Sequence, residues 1–181
     1  MGRAKGIAIL DAVKFLRARR DEAAEVLPPT LHHYLDEEVG WSTWYPEKDL
    51  VELIRGVSKL LPGPTDRALM MMGERGARSQ TVVYGDLMRG AQSNSRTFAL
   101  WSTQHDTGEL RSQMEAPNRV RIELAGFEET SRELCLVLGG YIAGTLAING
   151  ITDSSVQKLS CRLWGDATCS WRGTWTPQDE K

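Results

Sequence analysis

Three thiols stand in the last third of the 181-residue chain: Cys135, and then Cys161 and Cys169, which flank Arg-Leu-Trp-Gly165-Asp166-Ala-Thr. Thiolates are nucleophiles and soft metal ligands, and a tetrahedral zinc takes four donors drawn from thiolate, imidazole and carboxylate. Gly165-Asp166 between two cysteines predicts a tight turn joining two strands. Cys135 lies well upstream in Cys135-Leu-Val-Leu-Gly-Gly-Tyr-Ile-Ala-Gly144, a small-residue helix, so the thiols converge only if that helix packs on the hairpin. An odd cysteine count leaves one thiol over in any disulfide framework, so reduced thiols in the cytoplasm are expected. Without metal they act as small apolar residues.

A second group offers contact rather than bond-making. Trp41, Trp44 and Tyr45 cluster in Gly40-Trp-Ser-Thr-Trp-Tyr-Pro46, and with Trp101, Met114 and Tyr141 they form the candidate ligand-binding set. Such sites are mostly apolar with a few polar groups, and Met suits a flexible apolar ligand. An aromatic cluster of this kind also anchors a loop to a core. His105 sits in Trp101-Ser-Thr-Gln-His-Asp-Thr-Gly108 and reads as a loop histidine. Catalytic patterns are missing: there is no Gly-x-Ser-x-Gly, no Gly-x-x-x-x-Gly-Lys, and His32 and His33 are adjacent rather than spaced for a metallohydrolase. The chain is expected not to be an enzyme.

The elements that must position these residues follow from periodicity. Ile7, Ile9, Leu10, Val13, Phe15 and Leu16 predict a helix over Gly6–Arg19, and a short helix is expected over Leu31–Glu38. Pro46 suits a first helical turn ahead of the apolar face Leu50, Val51, Ile54, Val57, Leu60 and Leu61. Pro62-Gly63-Pro64 ends that helix, and Thr65 and Asp66 cap the next, expected through Met72. Gly85–Ser95 reads as an exposed connection. From Arg119 the period becomes two, with Val120, Ile122 and Leu124 alternating with Arg119, Arg121 and Glu123. Thr130 and Glu133 fit a capping box for a helix that stops at Gly150. Val156–Leu163 and Cys169–Trp175 complete an antiparallel hairpin. In Gly140-x-x-x-Gly144 the small residues predict close packing of this helix on its own sheet.

Cys-x-x-x-x-Gly-Tyr-x-x-Gly, here with the extra Gly139, followed by Cys161-x-x-x-Gly165-Asp166-x-x-Cys169 and an aromatic strand, resembles the 4-vinyl reductase type of small-molecule-binding domain. The superfamily includes phenol-responsive regulators, haem nitric-oxide-binding domains and Golgi-transport tethering subunits, and the stand-alone length also resembles an uncharacterised myxobacterial family. The resemblance implies an α+β fold in which a helical N-terminal half packs on a C-terminal antiparallel sheet with a buried helix. It implies a bacterial sensory or regulatory domain that binds a small apolar molecule and acts as a homodimer. An adaptor or assembly subunit without a ligand is the other reading. In the phenol-type relatives a zinc is held by three cysteines, which match Cys135, Cys161 and Cys169, and a carboxylate, where this chain has Lys158. Glu133 or Asp166 would have to replace it. The haem relatives cradle propionates with Tyr-x-Ser-x-Arg, for which the nearest text is Gln92-Ser-Asn94-Ser-Arg96, and only the Arg is kept. No cofactor is therefore firmly implied, and zinc is the candidate.

Composition sets the outer limits. Hydrophobic residues make up 41% and charged residues 25%, ordinary for a globular chain. One domain over 1–176 with a disordered tail at 177–181 is expected. A net charge of −2 gives no basic footprint for nucleic acid, and Arg17-Ala-Arg19-Arg20 is followed at once by Asp21 and Glu22. No apolar run is long enough for a bilayer, and the start of the chain lacks a signal-peptide segment, so a cytoplasmic protein with no membrane partner is expected.

Overall fold

The change of period at Arg119 divides the architecture, with helices before it and sheet strands around and after it. The computed structural model describes residues 2–84 and 100–176. The expected connection at Gly85–Ser95, the Gln92–Arg96 text and the tail at 177–181 lie outside the described residues. In chain order the helical half contains β1 (Arg3–Lys5), α1 (Gly6–Arg17), α2 (Arg20–Val26), α3 (His33–Asp36), β2 (Trp44–Pro46), α4 (Glu47–Leu60) and α5 (Thr65–Tyr84). The second half contains α6 (Trp101–Gln104), β3 (Glu109–Ala116), β4 (Arg119–Ala125), α7 (Arg132–Ile148), β5 (Ser155–Ser160) and β6 (Cys169–Thr174).

The four longer strands form one antiparallel sheet in the order β3-β4-β6-β5. Val120, Ile122 and Leu124 of β4 are buried, as alternation requires, and Ile122 pairs with Trp171 across the ladder to β6. Helix α7 lies between this sheet and helices α4 and α5, so it is apolar on more than one side and acts as the spine of the molecule. One hydrophobic core, with members from Ala4 to Trp171, joins the two halves.

Four local expectations need correction. The helix expected through Met72 continues to Tyr84, although Gly73 and Gly76 lie inside it. The reason is tertiary: α5 and α7 cross so closely that a Cβ on Gly73 would collide with the Val137 carbonyl, and one on Gly140 with the Met70 carbonyl. Gly140 and Gly144 therefore serve the approach of α5, and it is Gly139 that faces the sheet, at Trp171. The α7 cap is Ser131 rather than Thr130, its hydroxyl accepting from the Leu134 N–H at 3.0 Å. Pro46 precedes the helix instead of entering it, as the last residue of β2 paired with Arg3.

Candidate functional site

Where the helical half meets the sheet, a cavity of about 90 Å³ is lined by α1, α4, α5, α6, β3 and α7. Ile7, Leu50, Ile54, Leu110, Leu134 and Leu138 supply apolar wall, and polar groups reach it from Asp11, Gln80, Gln104, His105 and Tyr141. Gln80 and Gln104 exchange amide hydrogen bonds at 2.9 and 3.0 Å, and the Tyr141 hydroxyl donates to Gln80 Oε1 at 2.7 Å. Burial pushes the Tyr141 phenol well above its ordinary value, so it remains a neutral hydroxyl.

His105 is no solvent-facing loop residue. It is 6% exposed and stacks on the Trp101 indole, with ring centroids 3.8 Å apart. Phe127 meets both rings edge-on. Its Nδ1 lies 3.2 Å from Oε1 of Glu47, which is fully buried, and Thr107 donates to the other carboxylate oxygen at 2.6 Å. A carboxylate only accepts, so Nδ1 carries the proton and Nε2 keeps its lone pair. Burial holds this imidazole below its ordinary value, against the opposite pull of Glu47 and Asp106. Glu47 and His105 are far apart in sequence, and the acidic first turn of α4 looks like dipole compensation, so no local signal joined them. Gln80 did carry one. It falls on the buried stripe Leu69, Gly73, Ala77, Gln80 of α5, where an amide demands a partner.

Of the six aromatic and Met positions, Trp101 and Tyr141 line this cavity. The other four do not. Trp41 is 57% exposed, and Trp44 is exposed beneath the cations of Arg3 and Lys5. Tyr45 accepts a hydrogen bond from the Gly40 N–H, and so fastens its own loop. Met114 is 49% exposed: it shares the face of Leu110 and Val120, but it lies near the end of the edge strand β3, where little covers it.

The three thiols do converge. Sγ separations are 3.8 Å for Cys135 and Cys161, 4.0 Å for Cys135 and Cys169, and 3.9 Å for Cys161 and Cys169. Cys161 and Cys169 are buried and Cys135 is half-buried. Lys158 stands where a carboxylate would be needed, donating from Nζ to Cys135 Sγ at 3.2 Å above the Trp171 ring. Neither substitute is available: Asp166 accepts from the Cys161 N–H at 2.8 Å, and Glu133 faces Arg55. The hydrogen bond from Cys135 pulls the Cys169 thiol down to about 5 and pushes Cys135 up. Lys158 touches Cys135 rather than Cys169, so its charge acts on the cluster through the Cys135 sulfur.

Structural comparison gives the fold a precedent. A haem nitric-oxide-binding (H-NOX) protein carrying an unnatural amino acid aligns with a TM-score of 0.70 and 14% identity over 98% of this chain and 99% of its own. The chain is folded like an H-NOX domain. A structure from work on haem distortion in the H-NOX family gives 0.69 and 15% identity, covering 98% of each chain. An oxygen-binding H-NOX domain related to soluble guanylate cyclases gives 0.67 and 12% identity, covering 98% of this chain and 97% of that one. No protein-family model matches the chain, and no curated protein matches it. These structures share the fold expected from the haem nitric-oxide-binding branch of the resemblance, while the 4-vinyl reductase and myxobacterial branches rest on the motifs alone.

The H-NOX likeness corrects the cofactor expectation. Two of the similar structures come from work on haem, one of them in the H-NOX family, so haem is the group the likeness raises, in place of no firm cofactor or zinc. One feature here suits it, an imidazole oriented through Nδ1 by a carboxylate, as metal-ligating histidines are. The surroundings do not. A cavity of about 90 Å³ is far below the roughly 300–1,000 Å³ of pockets for drug-sized ligands. Among the described residues no Lys or Arg lines it, Asp11 would oppose propionates, and α5 and α7 are already in glycine-mediated contact. As arranged, these residues do not fit a haem.

Proposed function

We propose that the chain is a non-catalytic sensory domain that binds a small, largely apolar molecule between its helical half and its sheet, and that acts as a homodimer. The observation that carries this reading is the cavity, where apolar walls from both halves surround the converging polar groups of Gln80, Gln104, His105 and Tyr141. A ligand-free adaptor would have no use for this space, and its presence favours the ligand reading. About 90 Å³, against the roughly 150 Å³ of an engineered apolar cavity that accepts benzene, suits a ligand of a few heavy atoms with one hydrogen-bonding group. Such a ligand would touch α5 and α7 together, and its contacts would favour one relative placement of the two helices.

The test is calorimetric and thermal-shift titration of the purified chain with small alcohols, phenol and small heteroaromatics, with hemin titrated in parallel. The reading expects saturable stabilisation by one of the small probes, weakened in Tyr141→Phe and Gln80→Leu. Stabilisation by none of them would count against it. A Soret band that appears with hemin and is lost in His105→Ala would replace it. Sedimentation equilibrium tests the dimer.

A further inference from the structure

The thiol cluster has no part in the cavity. It lies where α7 crosses the β5–β6 hairpin, beside a solvent-connected groove of about 340 Å³ lined by Cys135, Lys158, Cys161, Leu163 and Trp164, among others. Cys135 is the half-buried member of the three, so an oxidant entering the groove meets it first. Each of its two partner sulfurs lies within 4.0 Å, and each belongs to the hairpin rather than to the helix. The Lys158 ammonium is in hydrogen-bond contact with the same sulfur, positioned to favour negative charge there and to pass a proton.

We propose that Cys135 is an oxidation site for hydroperoxides, and that the product is a disulfide between Cys135 and Cys161 or Cys169 that fastens α7 to the hairpin. In the first step the Cys135 sulfur attacks the distal peroxide oxygen. The S–O bond forms, the O–O bond breaks, and the thiol proton reaches the departing oxygen by way of Lys158, which leaves a sulfenic acid and an alcohol, or water when the oxidant is hydrogen peroxide. In the second step the neighbouring thiol sulfur attacks the sulfenic sulfur. The S–S bond forms, the S–O bond breaks, and the hydroxyl departs as water with that thiol's proton. In sum, two thiols and one hydroperoxide give one disulfide, one alcohol and one water.

The consequence falls on the helix that lines the cavity. Leu134, Val137, Leu138 and Tyr141 all belong to α7, so a link at Cys135 fixes that wall against the sheet. This consequence rests on the small-molecule reading of the cavity, whereas the oxidation itself does not.

Hydrogen peroxide added to the reduced, chelator-washed full chain, followed by peptide mapping without reduction, tests the proposal. Two of the three thiols should disappear, and a peptide containing Cys135 should be found joined to one containing Cys161 or Cys169. Cys161→Ser and Cys169→Ser should each keep one helix-to-hairpin link, Cys135→Ser should keep none, and Lys158→Met should slow thiol loss severalfold. After oxidation, amide exchange along α7 should slow. If Cys135→Ser does not fold, the wild-type peptide map and the Lys158→Met rate carry the test. The proposal is overturned if the thiols survive, if Cys135 passes to sulfinic acid without a link, if only Cys161 and Cys169 pair, or if a metal retained through chelation blocks the reaction.

Discussion

His105 Nδ1 and Glu47 Oε1 lie 3.2 Å apart inside the core, where neither side chain has more than 6% exposure. The pair joins the start of α4 to the residue that follows α6, and so holds together two walls of the cavity.

Burial keeps the His105 imidazole below its ordinary value of 6.5. The unfolded chain therefore takes up this proton more readily than the folded one does. The contribution is fully present above about pH 6.5 and is lost as pH falls from there through the lower value of the folded imidazole. Urea unfolding at a series of pH values should show stability falling on the acid side, and His105→Gln should flatten that slope. An unchanged slope in the variant would mean that the imidazole is solvated.

The amide pair of Gln80 and Gln104 makes a sharper test of the cavity floor. Gln80→Leu leaves the Gln104 amide and the Tyr141 hydroxyl without their partner, and should cost about 1–3 kcal/mol in urea unfolding. Gln80→Leu combined with Gln104→Leu should recover part of that loss, because removing both members of a buried pair costs less than orphaning one. Additive losses would argue against a coupled network.

Gly140→Ala should destabilise the protein although alanine is the better helix former. The added methyl would run into the Met70 carbonyl of α5, and overpacking of this kind costs about 1–3 kcal/mol. Chemical denaturation measures it. Stability equal to the wild type would show that α5 and α7 are not in close contact, and would reopen the space between them.

What the sequence revealed was what local spacing encodes. The apolar face of α4, the alternation of β4 and the turn at Gly165 are periodic or conformational signals, and the turn's positive φ of 93° suits glycine. The convergence of Cys135 with Cys161 and Cys169 followed once a helix and a hairpin had to share one core. By contrast, β3 was missed because Leu110 is its one buried side chain, so no alternation shows. Trp41, Trp44 and Met114 drew notice as large apolar residues, yet Trp41 and Trp44 lie on an exposed segment ahead of α4 and Met114 lies near the end of an edge strand. Glu47, Gln80 and the adjacent Gln104 and His105 lie on three different segments, and only tertiary packing brings Gln80, Gln104 and His105 to one cavity with Glu47 behind the imidazole.

The most direct test of the central claim is a ¹⁵N and methyl NMR titration of the full chain with a small alcohol, 2-propanol, as the probe. The account predicts saturable shifts at Leu134, Leu138, Tyr141, Gln80 and His105, with Trp41, Trp44 and Met114 unmoved. Shifts confined to Trp41 and Trp44, or none at any concentration at which the chain stays folded, would contradict it.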